Sequence, residues 1–138
     1  MVHSHTISLP TKGNDDMQDV TDHAQDALRD SGLSSGLLNV FVVGSTAAVT
    51  TIEFEPGLER DISVAMERLA PRDAHYEHEA RWRDDNGHSH IRASLIGPSV
   101  TVPFMNGELA LGRWQQIVLI DFDTRARDRT IIVQVVGE

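Results

Sequence analysis

The chain has 138 residues, 40% of them hydrophobic and 24% charged, enough for one soluble domain with a real core. Its net charge of −9 argues against a general nucleic-acid binder, because phosphate backbones are met by clustered Lys and Arg. The absence of cysteine excludes disulfides, thiolate nucleophiles and Cys-ligated zinc.

The first residues, MVHSHTISLPTKG, carry no apolar core of a secretory signal. No apolar run is long enough for a membrane span. A cytoplasmic protein with neither nucleic-acid nor membrane partner is the expectation. Lys12 is the only lysine. Arginine forks suit phosphate and carboxylate ligands, but a genomic or salt-adaptation bias in codon use is the preferred account.

Val2 to Leu9 alternates and reads as a first strand. Asp15 to Asp30 carries Met17, Val20, Ala24, Ala27 and Leu28 on one stripe, with acids at its start, and predicts a helix. Gly36–Val43 and Thr46–Phe54 are two β-rich runs, separated at Gly44 and Ser45 by a hairpin turn or a bulge. Glu53 emerges at the end of the second. Pro56 opens an amphipathic helix whose apolar residues are Leu58, Ile62, Ala65 and Leu69, and Pro71 stops it. Arg72 to Asn86 reads as a long polar loop. Gly87 to Ile96 fits a strand or a short helix capped by Asn86, and the helix is preferred. Ser99–Phe104 is a strand, Asn106-Gly107 a turn, and Glu108–Leu111 resumes the pairing. Trp114–Phe122 and Arg129–Val136 are the last strands. Two helices among six or seven strands give an α+β domain spanning residues 1–138.

The chemistry gathers between Asp84 and Gln116. His75, His78, His88 and His90 fall close together, and histidine is both a metal ligand and an acid/base near neutral pH. On a helix, His88 and His90 point about 200° apart, at about 100° per residue. His78 and His90 with Glu53 then form the better three-ligand set for a zinc or other divalent metal, with one position open. Asp84 and Asp85 beside Asn86 read as a capped turn or as oxygens for magnesium. Arg92 and Arg113 flank two turns and suit a phosphate. Gly44-Ser45-Thr46 offers amides and hydroxyls for an anion. Neither a Ser-His-Asp order nor a P-loop nor GxGxxG is present, and no organic cofactor is expected.

The stretches NVFVVGSTAAVTTIEFEPG, YEHEARWRDDNGHSH, SHIRASLIGPSVTVPFMNGELALGRWQQIVLIDFD and IIVQVVGE resemble the YjbQ family. The similarity runs in order through almost the whole chain. The resemblance implies a mixed α+β sandwich with two to three helices, assembled as a homotrimer. It also implies a polar site near a divalent metal, zinc or magnesium. The activity implied is that of a secondary thiamine-phosphate synthase, which joins a pyrimidine pyrophosphate to a thiazole phosphate and expels pyrophosphate. A non-catalytic small-molecule or metal-binding trimer and a metal-dependent hydrolase of a phosphorylated small molecule are the alternatives.

Carried over residue by residue, the family pattern falls on Glu53, His78, Asp85, His90, Ser94, Ser99, Trp114 and Gln115. Catalytic roles are expected for Glu53, Asp85 and His90, and ligand contacts for Ser45, Thr46, Arg92, Ser94, Arg113, Trp114 and Gln115. Many members have a histidine in an H-T-T-A or H-T-S-A element where this chain has Gly44, and many read G-T-W-Q where it has Arg113. His88 is the candidate to replace the missing histidine.

Overall fold

The computed structural model describes residues 1–82 and 84–138. In chain order its elements are β1 (Val2–Thr11), β2 (Asp16–Asp19), α1 (Thr21–Ser31), β3 (Gly36–Val43), β4 (Ala47–Ile52), α2 (Pro56–Leu69), α3 (Glu77–Trp82), α4 (Gly87–Ile96), β5 (Ser99–Met105), β6 (Glu108–Leu109), β7 (Gln116–Asp121) and β8 (Arg127–Gly137). Five strands form one sheet in the order β1-β8-β3-β5-β6, and three form a second in the order β2-β7-β4. Every pairing is antiparallel.

The two sheets stack. Alternating residues of β3 and β8, such as Leu38, Val40, Val42, Ile131 and Val133, meet Ala47, Val49, Ile117 and Leu119 of the smaller sheet in the main core. β4 and β7 are covered on both faces, so β7 reads as a continuous apolar run. Their far side, with Ala48, Val118, Ile120 and Phe122, packs on Ala93 and Ile96 of α4 and on Met66 of α2. Small sheet and helices therefore lie on one side of the large sheet. Among the described residues no layer covers its other face.

Several elements differ from their sequence reading. The segment Asp15–Asp19 is not the start of a helix. Asn14 and Asp15 have φ of 54° and 68°, which breaks helical geometry, and β2 pairs with β7 instead. The helix begins at Thr21, whose amide is taken by the Asp19 carboxylate at 2.9 Å. Gly44 and Ser45 make neither a hairpin nor a bulge: β3 and β4 belong to different sheets, and the turn carries the chain from one to the other. The polar segment after Pro71 contains α3. The described residues thus form four helices rather than two or three, and eight strands rather than six or seven. Trp114 and Gln115 precede β7 in a turn instead of starting the strand.

The helix opened by Pro56, the Asn106-Gly107 turn and the helix at Gly87–Ile96 are as read. Glu55 accepts from the amides of Gly57 and Leu58 at the start of α2, with Pro56 in its first turn. Asn106 and Gly107, both at positive φ, close the β5–β6 hairpin as an Asn-Gly pair does. Gly87–Ile96 is a helix.

Candidate functional site

The turn between the sheets brings Gly44, Ser45 and Thr46 against the first turn of α4 and the loop after β7. A cavity of about 210 Å³ forms there, lined by those three residues with Asn86, His90, Asp123, Arg127 and Arg129. A neighbouring hollow of about 190 Å³ shares Gly44 and Ser45 and adds Ala47, Ala93, Ser94 and Pro98.

The floor of the cavity is an ionic network. Asp121 and Asp123 are fully buried. Arg129, itself buried, holds Asp121 at two points: Nε donates to Oδ2 at 2.7 Å and Nη2 to Oδ1 at 2.8 Å. Thr11 adds a hydroxyl hydrogen bond to Asp121. Burial alone raises the Asp121 pKa, but Arg129, Thr11 and the Asp123 amide outweigh it, so the net shift is downward. Asp123 behaves alike. Burial raises it, and the Thr124 amide, the Thr46 hydroxyl and Arg127 together lower it further. Both carboxylates stay charged, as buried ions must when paired.

Among the described residues, Arg129 is a buried group here that keeps an unengaged donor. Its Nη2 also reaches the Thr46 hydroxyl at 2.6 Å, while Nη1 has no partner among the described residues and faces Gly44. A Cβ placed on Gly44 would lie 2.7 Å from Nη1. Gly44 also has φ of 138°, where side chains are disfavoured. Glycine here therefore opens the guanidinium to the cavity. The amides of Gly44, Ser45 and Thr46 likewise make no hydrogen bond among the described residues, and so offer further donors.

The wall is built by α3 and α4. The His78 and His90 rings meet edge to face, with centroids 4.4 Å apart. Asn86 turns its amide nitrogen to Asp84, at 3.1 and 3.2 Å, and to His78 Nε2 at 3.1 Å, the orientation in which every contact pairs a donor with an acceptor. Nε2 of His78 then accepts, and its 3.3 Å approach to Asp84 is a contact rather than an ion pair. His90 is held below the usual histidine range, first by burial and then by the His78 ring. Asp123, Asp84 and the Ser45 backbone pull weakly the other way. The ring is uncharged at neutral pH and can take up a proton.

The site residues expected from sequence divide into separate groups. Ser45, Thr46, Ser94, His78 and His90 do gather here. Thr46 is buried, and its hydroxyl donates to Asp123 at 2.9 Å, so only its amide is available. Ser94 donates to the His90 carbonyl. Glu53 is not with them: it is exposed just beyond the far end of β4. Seven residues separate it from Thr46, roughly 23 Å at about 3.3 Å per residue. No three His, Asp or Glu among the described residues are placed to hold a metal ion. The set of His78, His90 and Glu53 therefore does not fit a metal within this chain.

Arg113, Trp114 and Gln115 stand near Glu53, at that opposite end. Gln115 bonds Thr51 and the Gly112 amide, both at 3.0 Å, and Arg113 stacks on the exposed Trp114 at 4.8 Å. Asp85 is exposed and accepts from Thr124 at 2.7 Å; Asp84 is the carboxylate that faces His78. Asn86 gives α4 no side-chain cap, because its amide serves Asp84.

Arg92 and His88 are corrections of another kind. Arg92 is fully buried on the opposite face of α4, donating to the Ala70 carbonyl, to both oxygens of Asp15 and to Glu67. It lines one of two broader, shallow hollows beside α2, of about 450 and 500 Å³, with its guanidinium already engaged. His88 is buried beside Tyr76, their ring centroids 6.4 Å apart, and its Nδ1 has no partner among the described residues. It cannot replace a histidine missing at Gly44, because helical spacing turns it away from His90.

Sequence reasoning missed Asp121, Asp123, Arg127 and Arg129, and read Asp84 and Asn86 only as a capped turn or as part of a magnesium site. One signal was available. Asp121 interrupts the apolar run QIVLIDF, and a charge inside such a strand needs a partner. The alternation of Arg127 and Arg129 in the next strand supplies it.

A family model described as UPF0047 protein YjbQ-like matches residues 5–138. A UPF0047 protein of Methanothermobacter thermautotrophicus is 39% identical over 99% of this chain and 94% of its own length. One from Bacillus subtilis is 31% identical over 96% of this chain and 98% of its own. A YbjQ-like protein of unknown function from Sulfolobus solfataricus superposes with a TM-score of 0.94 at 31% identity, covering 100% of this chain and 99% of that one. A YjbQ/UPF0047 protein of Clostridium acetobutylicum gives 0.87 at 35% identity, covering 96% and 99%.

Proposed function

We propose that this chain, which belongs to the UPF0047 YjbQ-like family, binds a phosphorylated small molecule where the Gly44–Thr46 turn meets His90 and Arg129. The observation that carries the reading is a nearly buried guanidinium, fixed at two points by Asp121, whose remaining nitrogen faces a cavity beside unbonded amides. Such an arrangement receives phosphoryl oxygens without reorganising. The cavity and its neighbour, about 210 and 190 Å³, suit the phosphoryl end and one ring of a substrate pair whose remainder would lie outside them.

The reaction proposed is the coupling of a pyrimidine pyrophosphate with a thiazole phosphate. The bond from the pyrimidine methylene carbon to the pyrophosphate oxygen breaks, and its electron pair leaves with pyrophosphate. The thiazole nitrogen lone pair then forms the new bond to that carbon. Arg129 and the turn amides would take the leaving charge, and the uncharged His90 ring with Asp84 and Asp123 would face the carbocation. A divalent cation enters this reading only as the counter-ion of the pyrophosphate. The homotrimer rests on the family resemblance alone and is proposed on that basis.

Gly44, standing where many members carry histidine, favours a second reading: a binding protein without turnover. A metal-dependent hydrolase is not advanced, since Glu53 lies apart from His78 and His90. Incubation with both substrates and Mg²⁺ or Zn²⁺ tests the choice. Thiamine phosphate above a His90→Ala control supports the synthase. A thiazole phosphate that raises the melting temperature without product supports the binding protein. Neither product nor thermal shift overturns both.

A further inference from the structure

Arg127 and Arg129 share one face of β8, and they meet Asp121 and Asp123 at the end of β7. The two pairs start alike and then differ. In each, the arginine Nε donates to a carboxylate Oδ2, at 2.7 Å for Arg129 with Asp121 and at 2.6 Å for Arg127 with Asp123. Arg129 engages Nη2 as well, with Asp121 and Thr46, and is buried. Arg127 engages neither terminal nitrogen among the described residues. Its side chain is 40% exposed, and it lines the cavity. The order of groups along the site follows from what each touches. The hollow suited to a ring shares Gly44 and Ser45 with the cavity. Arg129 Nη1 faces Gly44. Asp123 comes next, its Oδ2 lying 3.9 Å from Arg129 Nη2 and 2.6 Å from Arg127 Nε. Arg127 is therefore one carboxylate further from the ring hollow than Arg129.

We infer that Arg127 is a specificity-determining residue: it receives the terminal phosphoryl group of a diphosphate ester whose inner phosphoryl sits between Arg129 and the Gly44–Thr46 turn. This rests on the phosphate-binding reading above and adds to it how long an anionic tail the site selects. A monophosphate ester reaching out of the ring hollow ends at Arg129 and leaves Arg127 in water. A diphosphate ester carries one more phosphoryl group, joined through a single oxygen, and that group meets the open edge of Arg127. A guanidinium fork grips phosphoryl oxygens at two points. Arg127 is already aimed by its bond to Asp123, so little side-chain freedom is lost on binding. Each arginine is matched by an aspartate, so the preference comes from the placement of donors rather than from excess positive charge. The fold does not need Arg127 to keep Asp123 paired. Without it, Asp123 retains the Thr46 hydroxyl at 2.9 Å, the Thr124 amide at 2.7 Å and Arg129 at 3.9 Å.

Calorimetric titration of inorganic phosphate and of inorganic pyrophosphate, at one ionic strength and without added metal, is the test. The wild type is expected to bind pyrophosphate at least about tenfold more tightly than phosphate. Arg127→Gln should bring the two affinities together by weakening pyrophosphate alone, with phosphate affinity near the wild-type value and far-UV dichroism native. Arg127→Lys keeps the charge beside Asp123 and loses the fork; it should lose most of the same preference, and it carries the test if Arg127→Gln does not fold. Arg60→Gln removes an equal charge from an exposed position on α2 and should keep the full preference. A wild type that binds phosphate with no preference for pyrophosphate overturns this inference and leaves the phosphate site standing. So do folded Arg127 variants that keep the preference, or an Arg60→Gln protein that loses it equally. A wild type that binds neither anion overturns the phosphate site and this inference together.

Discussion

Arg129 holds Asp121 through two parallel hydrogen bonds of 2.7 and 2.8 Å, and the same guanidinium turns its third nitrogen to Gly44. One side chain thus anchors the floor of the cavity and presents a donor to its interior. The structural and ligand-binding roles of that arginine can be separated by substitution.

Arg129→Ala should be strongly destabilising. It leaves Asp121 charged and fully buried, and breaking a buried pair on one side costs about 3–5 kcal/mol. Urea denaturation would show it. Replacing Arg129 and Asp121 together by Met and Leu should restore much of that loss, because the uncompensated charge is gone. A double variant no more stable than Arg129→Ala would count against the pairing argument.

Gly44→Ala tests the opening itself. The new Cβ meets Nη1 at 2.7 Å and must adopt φ near 138°. The strain costs roughly 1–3 kcal/mol, measurable as a lower urea midpoint. Phosphate affinity should fall as well, since the methyl group stands in front of the guanidinium. Gly44→His should behave like Gly44→Ala and confer no tight metal binding, because Arg129 occupies the space its ring would need.

Arg92→Met should separate scaffold from site. It removes the donor to Asp15 and to the Ala70 carbonyl, which stay buried, and should cost about 1–3 kcal/mol; the exposed Glu67 carboxylate returns to water. Under conditions where the variant is folded, phosphate affinity should match the wild type, because Arg92 lies on the far face of α4. A matched loss of affinity would show the two faces to be coupled.

His88 gives an acid sensitivity with a definite sign. Burial first, then Arg92 and Arg72, hold its pKa below the ordinary 6.5, against the weaker pull of Glu79 and Asp15. The unfolded chain therefore takes the proton more readily than the folded one. The stabilisation from keeping His88 neutral is complete above about pH 6.5 and is lost as pH falls below it. Denaturation at stepped pH should show the wild type losing stability relative to His88→Asn between pH 7 and 5, by at most about 1.4 kcal/mol per unit. Parallel curves would remove His88 as the cause.

The fold was largely legible because its strands alternate and its breakers sit where chain direction changes. The apolar spacing of α2 and the turn at Asn106-Gly107 needed only local physics. β2 was not legible. Met17 and Val20 fit a helical stripe, and only the positive φ at Asn14 and Asp15, together with the long-range pairing to β7, decided otherwise. The candidate site shows the same division. His78 and His90 were found because histidine announces itself by type. Arg129 was not, because its role depends on a partner eight residues away across a turn and on an absent side chain at Gly44. Glu53 was misplaced for a related reason. Spacing along the sequence carried no information about which end of β4 each residue occupies.

Calorimetric titration of inorganic phosphate into the wild type and into Arg129→Lys tests the central claim most directly. Lysine keeps the charge beside Asp121 but lacks the fork, so it cannot hold Asp121 and reach the Gly44 opening at once. The wild type should bind phosphate, and the folded Arg129→Lys protein should bind it at least about tenfold more weakly, a loss of about 1.4 kcal/mol. A wild type that releases no binding heat, or a folded Arg129→Lys protein with wild-type affinity, would contradict the account.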